Sequence, residues 1–287
     1  MADRRRIYGP GGQCLAPFYT DEDTDFTPLD LGSLTNVTRA IFLKTGVTPS
    51  ASGSAYLEME SGNGNARGGM RLSCSVHGPR SLPRAAPFSP HMVLSTYVKY
   101  APFATQQKKA FMRDASERDL SLHLETALRG AVIADRWPKS GVDIIVTVLE
   151  SEVAPYCATN PDAEACDIMG VLSSCITVAA AAIADAGIDC VDTITSGVAT
   201  LLEDGSRRSP GVVLPDLPAS SSSSIMAACC VAFLPTRNEI TAIWLRGRMP
   251  TEDTSIYQKL AVSAVHASQQ AKQAIQSCYK DTILIKG

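Results

Sequence analysis

The pattern of apolar and polar positions changes character several times along the chain. Residues 1–34 are rich in Gly, Pro, Asp and Thr and show no sustained period, so they read as an extended N-terminal arm. From Arg39 the pattern alternates. Stretches 38–44, 53–58, 70–77 and 91–100 predict strands of one sheet. Between them, 61–69 predicts a flexible hairpin insertion, and 79–90, with four prolines, predicts a loop. A period of 3.6 then takes over. Leu120, Leu124, Ala127, Leu128, Ala131 and Val132 fall on one helical face, with Ser116 as N-cap and Asp119 as its capping-box partner. Trp137 and Pro138 end that unit. The β-branched run 142–149 predicts a central strand, and 151–167 a loop.

Residues 170–188, GVLSSCITVAAAAIADAGI, predict a helix opened by Gly170 and closed by Asp185, Ala186 and Gly187. Small side chains over four turns allow very close packing against a sheet or another helix. A glycine just before a helix also leaves free N–H groups, the usual setting for an anion. The neighbours of Gly170 are Val171 and Leu172, which offer neither hydroxyl nor guanidinium, so the place is shaped for phosphate but lined by apolar side chains. Strands are predicted again at 190–202, 211–214, 225–234 and 239–245, with a serine-rich loop at 215–224. A long last helix covers 251–280, and 281–287 read as a C-terminal tail. Strands in both halves with helices between them predict an α+β domain of mixed sheets over 35–280.

Composition narrows the function. A hydrophobic fraction of 45% suits a globular core. With a net charge of -3 there is no global signature for nucleic acid or membrane, so any RNA role must use a local patch. The largely apolar stretch 176–183 is too short to span a bilayer. Residues 1–6 lack the apolar core of a secretory signal, and Arg4, Arg5 and Arg6 read as an exposed charged tail. Nine cysteines, an odd number, predict free thiols in a reducing compartment. With no C-x-x-C spacing and four scattered histidines, no metal site is expected. Neither a Walker nor a Rossmann nucleotide loop is present.

Several segments together resemble an RNase PH-type domain over about 34–280. They are Gly53-Ser54 with Glu58, the turn Ala101-Pro102-Phe103, the helix 116–132, the helix 170–188, and Val231 to Pro235 followed by Asn238 to Thr241. Asp3 to Ile7 with Gly9-Pro10, Gly53 to Glu58 and Glu117 to Leu120 further resemble one ring subunit of the eukaryotic RNA exosome. The resemblance implies the RNase PH-like, ribosomal protein S5 domain 2-like fold. It also implies a reaction for active members, in which inorganic phosphate attacks the last phosphodiester of an RNA and releases a nucleoside diphosphate. That chemistry needs cations around phosphate and carboxylates for a metal or a proton.

The residues carrying it are replaced here. In active members the glycine matching Gly170 is followed by Ser or Thr and then Arg, where this chain has Val171 and Leu172. A second phosphate-binding arginine matches Ser116, preceded by Ala115; Arg113 and Arg118 are near in sequence, but helical geometry aims them elsewhere. The catalytic aspartate matches Ala228, and an acidic pair upstream matches Ser221 and Ser222. Asp216 alone aligns with a family carboxylate, and it reads as a turn residue rather than a metal ligand. Ser173 and Ser174 could donate hydroxyls to an anion or serve packing, and Asp185 fixes the end of its helix. Cys229 and Cys230, adjacent in a strand, face opposite sides.

Lys99, Lys108, Lys109, Arg113 and Arg118 cluster around the turn after Phe103. The resemblance places this region at the opening of a ring through which single-stranded RNA passes. Cations on a loop can track phosphates without reading bases. Tyr100 and Phe103 could stack or pack, Arg80 is a weaker candidate, and an ordinary solvated loop is the plain alternative. The expectation is a non-catalytic structural subunit of the exosome core ring that guides single-stranded RNA and needs no cofactor. It assembles with other RNase PH-like exosome subunits in a hetero-oligomeric six-membered ring and carries cap subunits with OB/KH-type RNA-binding folds. Its place is the nucleus, nucleolus and cytoplasm, with no membrane. The alternatives are an active phosphate-dependent 3′-to-5′ exoribonuclease whose ligands come from a neighbour, and an unrelated small-molecule enzyme.

Overall fold

The structure, a computed structural model, describes residues 39–60, 69–83, 86–105, 109, 111–151, 161–202, 212–215, 225–248 and 254–286. The chain divides into two units, Met1–Asp30 and Leu31–Gly287, and every described residue lies in the second. The expected arm, most of the 61–69 insertion, Lys108, Asp216, Ser221 and Ser222 lie outside the described residues.

Alternating side chains build the first sheet. Its strands are β1 (Ile41–Thr45), β2 (Gly53–Met59), β3 (Met70–Ser81), β4 (Val93–Tyr100) and β5 (Ser140–Glu150), in the order β1-β2-β3-β5-β4. All neighbours are antiparallel except β4 and β5, which run parallel. One face is buried: Leu72, Cys74 and Val76 of β3 join Leu94 and Val98 of β4 and Ile144, Val146 and Val148 of β5. The loop expected at 79–90 begins later, because β3 continues to Ser81. Pro79 falls in the register shift between His77 and Arg80, where the ladder needs no donor from it.

The second sheet has β6 (Thr195–Leu202), β7 (Val212–Pro215), β8 (Ile225–Leu234) and β9 (Glu239–Gly247), all antiparallel in the order β7-β6-β8-β9. The strand expected from Cys190 starts only at Thr195, and Cys190 makes one isolated bridge to Val132. Cys229 and Cys230 do face opposite ways and lie in different apolar cores.

Among the described residues there are three α-helices: α1 (Ala115–Arg129), α2 (Pro161–Asp185) and α3 (Thr254–Lys286). Helix α2 lies between the sheets, touching β2 and β3 on one side and β6 and β8 on the other. Residues 171–183 are all buried, which explains why the helix is apolar all round. Its window Ile168–Asp185 is long and apolar enough to cross a membrane, yet 78% of it is buried inside the protein, as in a core helix. The close approach requires glycine on the facing strand. A Cβ at Gly53 would collide with the backbone of Ala182 and Ala186. At the other sheet, where α3 covers β6 and β8, a Cβ at Gly197 would collide with the backbone of Ala264 and Ser268.

The helix ends differ from expectation. The N-cap of α1 is Asp114, not Ser116, and its capping box is closed by Glu117, not Asp119: the Asp114 N–H donates to Glu117 Oε2 at 3.0 Å. Helix α3 runs through Lys286, so 281–286 are helix rather than tail. Thr282 Oγ1 lies 3.1 Å from Thr45 Oγ1, tying that end to β1. Most consequential is α2, which begins at Pro161, nine residues before Gly170.

Candidate functional site

The extension of α2 removes the anion site expected at Gly170. That glycine is an interior helical residue, and its carbonyl accepts a hydrogen bond from Ser174 Oγ at 3.1 Å. The N–H groups of an interior turn are spent on the helix itself, so none remain for a ligand. Val171 and Leu172, at 1% and 0% exposure, belong to the core between the sheets. Ser173 does not face a helix start either. Its hydroxyl lies 3.1 Å from Ser196 Oγ of β6, and Thr177 Oγ1 lies 3.1 Å from the same hydroxyl. These buried hydroxyls satisfy one another and join helix to sheet.

The N-terminus of α1, where the second phosphate-binding arginine would stand, is also closed. Ser116 sits in the first turn between two acids. Glu117 is buried, accepting the Tyr100 N–H at 2.9 Å with Oε1 and the Asp114 N–H at 3.0 Å with Oε2. A helix N-terminus capped by its own carboxylates has its positive end already matched and repels a further anion. Arg113 precedes the helix and turns to the sheet. Its Nη2 donates to Ser121 Oγ at 2.7 Å, and its guanidinium lies 5.2 Å from the Tyr97 ring centre.

Ala228 is buried in β8, paired with Thr200 of β6 and Arg246 of β9. Asp185 holds structure: its Oδ2 accepts the Ser54 N–H at 3.0 Å, joining the end of α2 to the start of β2 where Gly53 lets them meet. Among the described residues no three His, Cys, Asp or Glu side chains are grouped to hold a metal ion. Cys74, Cys175, Cys190, Cys229, Cys230 and Cys278 are free thiols. Burial pushes the Cys190 and Cys229 thiols up to about 11, and Cys74, Cys175 and Cys230 further still, so none of these five offers a thiolate at neutral pH.

The basic cluster has a different form. Lys99, Lys109 and Arg113 gather at the end of β4, each over an aromatic ring. Lys99 Nζ is 4.3 Å from the centre of Phe111, Lys109 Nζ is 5.5 Å from that of Tyr100, and Arg113 covers Tyr97. Lys99 also donates to the Phe111 carbonyl, and Lys109 pairs with Asp114 at 3.4 Å. Arg118 stands apart on the exposed side of α1. Arg80 pairs with Asp143 on the sheet. Tyr100 is buried, whereas Phe103 is 75% exposed. Sequence reasoning passed over Phe111 and Met112, exposed at 89% and 78%. Their signal was present as two adjacent large apolar residues in an otherwise polar loop.

Residues 38–189 match the 3′ exoribonuclease family, domain 1, known as RNase PH. The chain belongs to the RNase PH family. It is 53% identical over 285 residues to the exosome complex component MTR3 of Chaetomium thermophilum, covering 99% of this chain and 100% of that protein. The exosome complex component mtr3 of Schizosaccharomyces pombe is 27% identical, covering 86% of this chain and 85% of that one. The exosome complex component Rrp41 of Pyrococcus furiosus is 26% identical over 84% of this chain and 85% of its own length. Among solved structures, rice Rrp46 superposes with a TM-score of 0.61 at 16% identity, over 84% of this chain and 95% of that one, which shows a shared fold.

Within that RNase PH frame, the positions that the sequence resemblance aligns with phosphate and acid groups serve structure. Val171 and Leu172 are core, Ser116 lies in an acid-capped helix start, and Ala228 fills a buried strand position. The α+β class and the RNase PH-like fold read from the sequence both hold.

Proposed function

We propose that this RNase PH-family chain is a non-catalytic ring subunit of a eukaryotic RNA exosome. The observation carrying the reading is the burial of Val171 and Leu172 inside a helix that begins nine residues before Gly170. A phosphorolytic site needs cations at the attacking phosphate, and loss of such charge-stabilising groups costs orders of magnitude in rate. The identity to a protein named exosome complex component MTR3 supports the assembly. In this role the chain contacts other RNase PH-like subunits and supports cap subunits with OB/KH-type folds. It guides single-stranded RNA past Lys99, Lys108, Lys109, Arg113 and Arg118 toward a nuclease elsewhere. It acts in the nucleus, nucleolus and cytoplasm.

Two measurements test the reading. Co-expression with RNase PH-like ring subunits, followed by size analysis, is expected to give a stable hetero-oligomer; a persistent monomer that ignores them rejects it. The purified chain, alone and in that assembly, is expected to release no nucleoside diphosphate from RNA in the presence of phosphate and magnesium. Release abolished by changing residues of this chain would instead favour the active phosphate-dependent exoribonuclease.

A further inference from the structure

The corner at the end of β4 carries more than cations. Phe103, Phe111 and Met112 are exposed large apolar side chains of one short segment, and Tyr97 of β4, under the Arg113 guanidinium, is 42% exposed. Such a concentration of apolar surface marks a contact site. Residues 99–118 hold five cations against two acids, in a chain whose net charge is -3. The local charge therefore opposes that of the whole molecule. Of the three cations over rings, only Lys109 has a carboxylate partner among the described residues.

The geometry favours one kind of ligand. The Lys99 ammonium covers Phe111 from one side and is held there by the Phe111 carbonyl, while the ring itself remains 89% exposed. An open aromatic face beside fixed cations matches a molecule that brings flat apolar faces and negative charge together. A single-stranded polynucleotide does so, with unstacked bases and a phosphate on every unit. A duplex hides its base faces and would meet only the cations.

We infer that Phe111 and Phe103 form a base-stacking platform for single-stranded RNA, with Lys99, Lys109 and Arg113 taking the adjacent phosphates. This rests on the RNA-guiding role proposed above and adds the chemistry of recognition. The platform reads no sequence, because every base has a face to stack, and it selects single strands over duplexes.

The test uses the full chain, alone and in its co-purified assembly, with a short fluorescent single-stranded RNA, the matching duplex and an abasic strand of equal length. Phe111→Ala and Phe103→Ala are expected to weaken single-strand binding about tenfold each, as stacked bases do on truncation of their platform. Phe111→Ala should leave the salt dependence unchanged, whereas Lys99→Ala should make log K less steep by about 0.7 against log salt. On the abasic strand, wild type and Phe111→Ala should bind alike. Phe111→Trp should retain affinity, and its fluorescence should be quenched by RNA. Wild-type binding of RNA that ignores both phenylalanines and the missing bases would overturn the platform and leave phosphate tracking in place. No RNA binding by the wild type would remove the guiding role with it. Phenylalanine variants that keep their RNA affinity but no longer co-purify with other subunits would reassign the corner to a protein contact and overturn the inference.

Discussion

Gly170 is the residue on which the reading turns. At the mouth of a phosphate site, a glycine is kept for its bare backbone. In the interior of a helix it only weakens that helix, by about 0.5–1 kcal/mol relative to alanine. Space is not the reason for it, since the nearest atom to an added Cβ is the flexible Met70 Cε at 3.9 Å. Gly170→Ala is therefore expected to raise stability by about that amount, read as a higher urea midpoint at unchanged slope. A loss of stability would place Gly170 at a helix start. The buried thiols give a second prediction at this scale. Folding raises the Cys190 and Cys229 pKa values from an ordinary 9.0 to about 11 by desolvation. Above pH 9 the unfolded chain sheds thiol protons that the folded chain retains. These groups thus contribute full stability below about pH 9 and lose it as pH rises toward 11. Urea midpoints across that range should fall, and ultraviolet thiolate absorbance of the native protein should lag behind that of the unfolded chain.

Among elements, legibility depended on how strongly one face was buried. The strands of the first sheet could be read because each has a core side and a wet side, and the alternation survives in the sequence. The end of β3 was hidden by Pro79, which normally signals a loop and here sits in a bulge. The start of α1 was misplaced by two residues because Asp114 and Ser116 are both good caps, and the choice rests on Glu117 reaching back to the Asp114 N–H. The start of α2 was misplaced by nine. Pro161, a residue suited to a first helical turn, carried the true signal, but the glycine drew the boundary to itself. No sequence pattern showed that Ser173, Thr177 and Ser196 would satisfy one another across a helix and a strand, because that depends on two sheets closing around α2. The fit of these elements also separates the glycines. Gly53→Ala and Gly197→Ala each force a Cβ into the backbone of a packed helix, where little can give. Each is expected to cost about 2 kcal/mol or more, by analogy with overpacked cores, the opposite sign to Gly170→Ala. Thermal denaturation of the three variants side by side checks the contrast. Equal effects would mean that α2 and α3 do not lie so close to the strands.

For the whole molecule, the non-catalytic role proposed above leaves two possibilities: positions 171, 172 and 228 are open to the family's phosphate-binding groups, or they are structurally filled. Simple loss of ligands leaves an empty cleft, and restoring the family's residues would then be tolerated. A filled pocket cannot take them back. Leu172 has no exposed surface and lies between two sheets, and Ala228 is buried under neighbouring strands. Leu172→Arg would place an unpaired guanidinium in that core, at a cost of several kcal/mol, comparable to the whole stability of an ordinary domain. Ser116→Arg, in the first turn of α1 and only partly buried, has room to reach solvent and should change stability by less than about 1 kcal/mol. The expected result is a soluble, folded Ser116→Arg protein and a Leu172→Arg protein that is unfolded or lost from the hetero-oligomer, judged by circular dichroism and gel filtration. If Leu172→Arg instead melts like wild type and gains affinity for inorganic phosphate, α2 begins near Gly170 after all and the ancestral cleft is still open. Ring assembly would then have kept the pocket and discarded only its charges. The arrangement seen here points the other way: Val171 and Leu172 are core side chains between the two sheets, and fitting an arginine there would require rebuilding the centre of the fold.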